Sequence, residues 1–183
     1  MEWKSILENY PQHTQAIGMI SIENANLETA LADLFARSLF IPIKTAHSIY
    51  LTPKSAIARL EVFQAAATTA LNPTDTMRQY NPKQAEKQEK DLSRIIRIIS
   101  RAKSTIGKRH GIIHDAWGAK NGSEDISRYA IAQAYTDKGT PVTLTHLNEI
   151  IYEYRKLIGD CIELAKEFKS SPPFLVSMLS SSE

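Results

Sequence analysis

Apolar residues return every three or four positions over four long stretches of this chain, the period of an α-helix with one buried face. Ile17, Ile20, Leu27, Leu31, Leu34 and Leu39, widened by Ala30 and Phe35, predict a helix over residues 15–39, ended by Pro42. Ile57, Leu60, Phe63, Ala67 and Leu71 predict a second over 53–71, with Thr52 as its N-cap, Pro53 in the first helical position and Ala65-Ala66-Ala67 allowing close packing. Leu92, Ile95, Ile99, Ala102 and Ile106 predict a third over 82–107. A last helix, capped by Thr145, follows from Leu147, Ile150, Ile151, Tyr154, Leu157, Ile158, Cys161, Leu164 and Phe168, and Ser171-Pro172-Pro173 stops it.

The segments between these helices are shorter and less regular. Residues 1–11 read as a short helical or irregular lead-in with Trp3, Ile6, Leu7 and Tyr10 on one side, stopped by Pro11. Residues 43–51 form a short piece, and 72–84 a loop marked by Asn72-Pro73 and Asn81-Pro82. Lys120-Asn121-Gly122-Ser123 is a turn cluster, and a small β-hairpin closing around residues 136–139 is the reading for 126–144. The fold class expected is all-α: an up-and-down bundle of four main helices with a small hairpin before the last one. Residues 1–170 are expected to form a single domain and 171–183 a flexible, serine-rich tail.

Composition narrows the function classes. The 183 residues are 43% apolar and 23% charged, ordinary for a globular domain, and the net charge is only +2. A nucleic-acid binder with that balance needs a local basic patch. Such a patch exists. Residues 90–109 carry seven basic residues and one acidic, Asp91. Arg94, Arg97, Arg101 and Lys108 recur at helical spacing on a different side from the apolar stripe. The run reads either as a solvated face or as a guide for an RNA backbone. A single cysteine, Cys161, excludes an internal disulfide and any Cys-type metal spacing. No apolar run approaches the ~20 residues that span a membrane, and the N-terminus opens without a signal-type apolar region. A cytoplasmic location without membrane contact is expected.

The chemistry concentrates in Lys108-Arg109-His110-Gly111-Ile112-Ile113-His114-Asp115-Ala116-Trp117-Gly118. Arginine offers a fixed cation and a planar fork suited to phosphate, and histidine exchanges protons near neutral pH. On a straight helix Arg109 and His114 lie about 140° apart, so one face holds both only if Gly111 bends or interrupts the helix or the side chains converge. His110 and His114, at i and i+4, do share a face, a spacing that also suits two zinc ligands, with Asp115 nearby. No third ligand is apparent, so no metal or other cofactor is expected. Glu28 reads either as a surface carboxylate or as a partner of Arg109. His47 reads as structural or superficial.

The pattern Arg109-x4-His114 resembles the Arg-x4-6-His signature of HEPN domains, the higher eukaryote and prokaryote nucleotide-binding domains. Lys108 before the arginine, Ile112 and Ile113 before the histidine, and Trp117 after it are similar to bacterial members, as is Ala25-Asn26-Leu27-Glu28 in the first helix. His110 stands where Asn is common. The resemblance, over residues 15–165, implies a small helical fold and metal-independent endoribonuclease activity. Arg109 would hold the phosphate, His114 would transfer the proton, His110 would assist and Glu28 would support. It implies a homodimer with facing motifs, and a partner such as an antitoxin or a nucleotidyltransferase in a toxin or phage-defence setting. Family members that have lost catalysis imply an alternative: a non-catalytic RNA- or protein-binding module.

Overall fold

The computed structural model describes residues 6–114, 116–119, 126–129 and 139–169. The chain is predominantly α-helical, with one small antiparallel sheet. The helices are α1 (Pro11–Ser38), α2 (Ile43–Leu51), α3 (Ala56–Leu71), α4 (Asp75–Tyr80), α5 (Pro82–His114) and α6 (Leu144–Lys169). The strands are β1 (Ala116–Ala119), β2 (Ile126–Tyr129) and β3 (Thr140–Val142), in the order β1-β2-β3. The four helices expected from periodicity are α1, α3, α5 and α6. Ile126 pairs with Val142 and Arg128 with Thr140, so the expected hairpin partners are present; β1, pairing Trp117 with Arg128, is an addition. The expected closing turn around 136–139, the turn cluster at 120–123, Trp3, Asp115 and the tail at 171–183 lie wholly or largely outside the described residues.

Several helix ends differ from the expectation for identifiable reasons. Pro11 opens α1 instead of only closing the lead-in, because the first helical position needs no N–H. The cap of α3 is Ser55, whose hydroxyl accepts from the Ala58 N–H at 3.1 Å; Thr52 instead closes α2. Thr143, not Thr145, caps α6, accepting from the His146 N–H at 3.1 Å. Part of the expected loop at 72–84 is α4, capped by Thr74 through the Met77 N–H at 3.2 Å. Phe40, at φ 55°, ends α1 in the left-handed conformation usually taken by glycine. Its N–H donates to Arg37 and that of Ile41 to Ala36, which satisfies two carbonyls at the helix end.

The contacts divide into two compact units, and α1, α5 and α6 contribute to both. One comprises Glu28–Lys103 and Leu157–Glu183. Its core includes Leu31, Leu34, Leu60, Ile95 and Ile99, all essentially inaccessible, around an aromatic trio. Phe35 meets Phe63 edge-on at 5.3 Å, and Tyr50 lies 5.9 Å from Phe35. The other unit comprises Met1–Leu27 and Ser104–Lys156. Ile20, Leu27, Ile112, Ile126, Val142, Leu147, Ile150 and Tyr154 are buried in it. There the Tyr154 hydroxyl donates to Asn24 Oδ1 at 3.2 Å and Arg155 Nε to Glu23 Oε1 at 2.6 Å, joining α1 to α6.

Candidate functional site

Why α5 carries both a buried stripe and a charged one follows from a seven-residue repeat. Ile95, Ile98, Ala102 and Thr105 are buried at alternating spacings of three and four, with Ile112 seven residues further on, the positions that line a helix–helix seam. Leu147, Ile150, Tyr154, Leu157, Cys161, Leu164 and Phe168 are the matching buried series on α6. Flanking that seam, Arg94 forks onto Glu167 at 2.5 and 2.7 Å, and Arg101 bonds Asp160. Lys108 meets Glu153 at 2.6 Å. The first two pairs belong to one unit and the third to the other; within the first unit, a step of seven residues forward on α5 is seven backward on α6. The helices are therefore antiparallel, and three of the four cations expected to guide RNA are matched by carboxylates. Arg97, exposed on α5, makes no ion pair among the described residues.

Arg109 continues the buried series, three residues before Ile112 and four after Thr105. Its side chain is half-buried, and its Nε is fully buried with no hydrogen-bond acceptor. No carboxylate pairs with it among the described residues, unlike its neighbour Lys108. The expected partner, Glu28, is otherwise engaged: its Oε2 accepts from Arg59 Nη1 at 3.0 Å, with the two side chains only 12% and 22% exposed. Arg59 also donates from Nε to the Pro53 carbonyl. Neither reading of Glu28 matches: it is mostly buried rather than superficial, and its cation is Arg59 rather than Arg109, because Arg59 sits on α3 with no spacing signal of its own.

His110 and His114 lie side by side on the exposed face of the last turns of α5, ring centroids 4.7 Å apart and inclined by 47°. Gly111 does not interrupt the helix, which runs through His114. The two imidazoles are thus brought together, whereas Arg109 points from a different side of the same helix. Just beyond, Trp117 of β1 donates its indole N–H to the Ile112 carbonyl at 3.2 Å, satisfying an end-of-helix acceptor. His47 hydrogen-bonds Asp33 at 2.8 Å, in keeping with a structural role.

Other groups in the chain are less suited to chemistry. The Cys161 thiol is pushed up to about 12, chiefly by burial and further by Asp160, so it is a poor nucleophile. Burial, with Glu28 adding to it, also raises the Tyr50 hydroxyl, which has no hydrogen-bond partner among the described residues. The pair of buried Glu23 with exposed Arg155 escaped sequence reading, although a Glu beside the apolar positions of α1 was a usable signal. Arg155 also lines a groove of about 430 Å³ with Gln12, Gln15, Met19 and Asn148. Comparison of the chain with protein-family models, curated proteins and solved structures finds no match.

Proposed function

We propose that the C-terminal turn of α5 is the working face of a metal-independent endoribonuclease of the HEPN type. RNA carries its own nucleophile, the 2′-hydroxyl. Cleavage needs a base for that proton, an acid for the departing 5′-oxygen and a cation for the phosphorane. In this reading His114 moves the proton, His110 assists it and Arg109 stabilises the phosphate. The products carry a 2′,3′-cyclic phosphate or its hydrolysed form. The observation that carries the reading is the contrast within one helix. Arg94, Arg101 and Lys108 each hold a carboxylate, while Arg109 holds none among the described residues and adjoins two exposed imidazoles.

Because Arg109 and the imidazoles leave α5 in different directions, the reading includes a homodimer in which one chain's arginine serves the partner's histidines. Arg97 is assigned the guidance of the RNA backbone. An antitoxin or a nucleotidyltransferase partner belongs to the same reading and rests on the resemblance alone.

One observation favours the second reading, a non-catalytic binding module: Arg109 lies in the buried stripe of α5, where a structural side chain belongs. The deciding experiment incubates purified wild type, Arg109→Ala and His114→Ala with a mixed labelled RNA pool in excess EDTA. Cleavage by wild type alone, with cyclic-phosphate ends, is the expected result. Equal cleavage by all three proteins would sink the assignment, and cleavage by none would favour the binding module.

A further inference from the structure

The five histidines of the chain fall into distinct environments. His13 is 7% exposed within α1. His47 is bonded to Asp33. His146 faces Glu149 at 3.7 Å, one turn along α6. Only His110 and His114 form an exposed pair of imidazoles.

We infer that this pair is a chelating site for a divalent ion of the zinc class. Zinc takes neutral imidazole nitrogens at about 2.0–2.1 Å, and two such ligands in a tetrahedral shell sit roughly 3.4 Å apart. Rings with centroids 4.7 Å apart on consecutive turns reach that separation by rotation about their side-chain bonds. Both ligands stand on a continuous helix, so no loop must be ordered when the ion binds. Among the described residues no group of three or more His, Cys, Asp or Glu side chains is placed to hold a metal ion, so the described residues supply two ligands. Water, or the same pair from a second copy, completes the shell.

The site has a regulatory consequence that rests on the nuclease reading. Coordination takes the imidazole lone pair that would otherwise accept the 2′-hydroxyl proton. Zinc at this pair therefore switches off the chemistry that the free histidines perform. It is an inhibitor, and the reaction itself remains metal-independent.

The test has two arms. In the first, the full chain without RNA is titrated with zinc chloride against a zinc-responsive chromophore, in buffer free of chelators. One zinc per chain, or one per two chains, is expected. His110→Ala and His114→Ala should each weaken uptake by about tenfold or more, and His146→Ala should leave it unchanged. Absence of stoichiometric uptake by wild type, or uptake that survives both substitutions, would overturn the site. Circular dichroism of the variants confirms that the exposed substitutions leave the helices intact. In the second arm, wild-type RNA cleavage is followed with zinc and after EDTA. Cleavage that stops with zinc and returns with EDTA supports the switch; cleavage unaffected by saturating zinc overturns it. Zinc uptake at the pair by a chain that never cleaves RNA supports the chelate and overturns the nuclease reading, so the two failures are distinguishable.

Discussion

Two stretches of α5 carry nearly the same residue types and treat them oppositely. From Arg94 to Lys108, cations recur every seven residues and each meets a carboxylate of α6. In the turns that follow, Arg109 has no carboxylate and its Nε no acceptor among the described residues, while His110 and His114 face outward. The first stretch resembles the charged flank of a coiled coil, where opposite charges fix register and direction. The second leaves a cation and two proton-transfer groups uncommitted. A basic run is therefore a weak sign of nucleic-acid binding until its counter-charges are known, and the uncompensated residues within it are the informative ones.

The largest effect that follows is on activity. In the nuclease reading His114→Ala lowers RNA cleavage by about 10²-fold or more, the usual worth of a positioned proton carrier. Arg101→Ala, which removes a cation matched by Asp160, leaves cleavage nearly unchanged. Gel analysis of end-labelled RNA reads both. An equal loss from the two substitutions would erase the distinction between the stretches.

A smaller but clear effect belongs to Glu28. Glu28→Ala leaves the mostly buried Arg59 guanidinium without its carboxylate and should cost about 1–3 kcal/mol in urea unfolding. Cleavage per folded molecule should stay at the wild-type level, because the partner of Glu28 is Arg59. A loss of activity with unchanged stability would restore the support role first read from the sequence.

Much of this was legible beforehand, and the failures have physical causes. The long helices declare themselves because each buries one stripe with a 3.6-residue period. The caps slip by two or three residues because Thr52 and Ser55, or Thr143 and Thr145, are chemically equivalent candidates, and only the emerging backbone direction selects one. Helices α2 and α4 are too short to establish a period. Strand β1, Ala116–Ala119, has no alternation of apolar and polar residues to mark it. The α5–α6 charge register was present as two seven-residue spacings, Arg94-Arg101-Lys108 and Glu153-Asp160-Glu167, visible only when the two helices are read together in opposite directions. The place of Arg109 was equally legible as the next member of the series Ile95, Ile98, Ala102 and Thr105. The signature motif directed attention instead to its partnership with His114, although the two lie about 140° apart on a straight helix.

The same contrast predicts opposite signs for one substitution at two sites. Arg109→Met places an apolar side chain in a buried seam and removes an orphaned donor. It should stabilise the chain by about 0.5–1 kcal/mol while abolishing cleavage. Arg101→Met, at a pair whose side chains are 39% and 42% exposed, should destabilise by about 0.5–1 kcal/mol, and less at high salt. Urea denaturation at low and high salt checks both. Destabilisation by Arg109→Met would make that arginine structural and favour the binding module.

The smallest effect separates two carboxylates beside Arg94 by their response to acid. The hydrogen bond from Arg94, opposed by slight burial and aided by the arginine's charge, holds Glu167 below the ordinary glutamate value. A depressed folded value means that the ionised form is favoured by folding. The contribution is therefore present above the unfolded value and disappears as pH falls through the folded one. Asp91, 3.9 Å from Arg94, is shifted the other way, because burial outweighs the nearby cations. Its charge opposes folding at neutral pH, and protonation relieves the penalty. Glu167→Gln should thus cost about 0.5 kcal/mol or less at pH 7, and the difference from wild type should close below about pH 4.5. Asp91→Asn should be slightly stabilising at pH 7, with an advantage that also fades in acid. Thermal unfolding of both variants from pH 7 to pH 3 reads the two signs. If both destabilise at neutral pH, Asp91 is a working partner of Arg94, and the compensation along α5 is denser than three matched pairs.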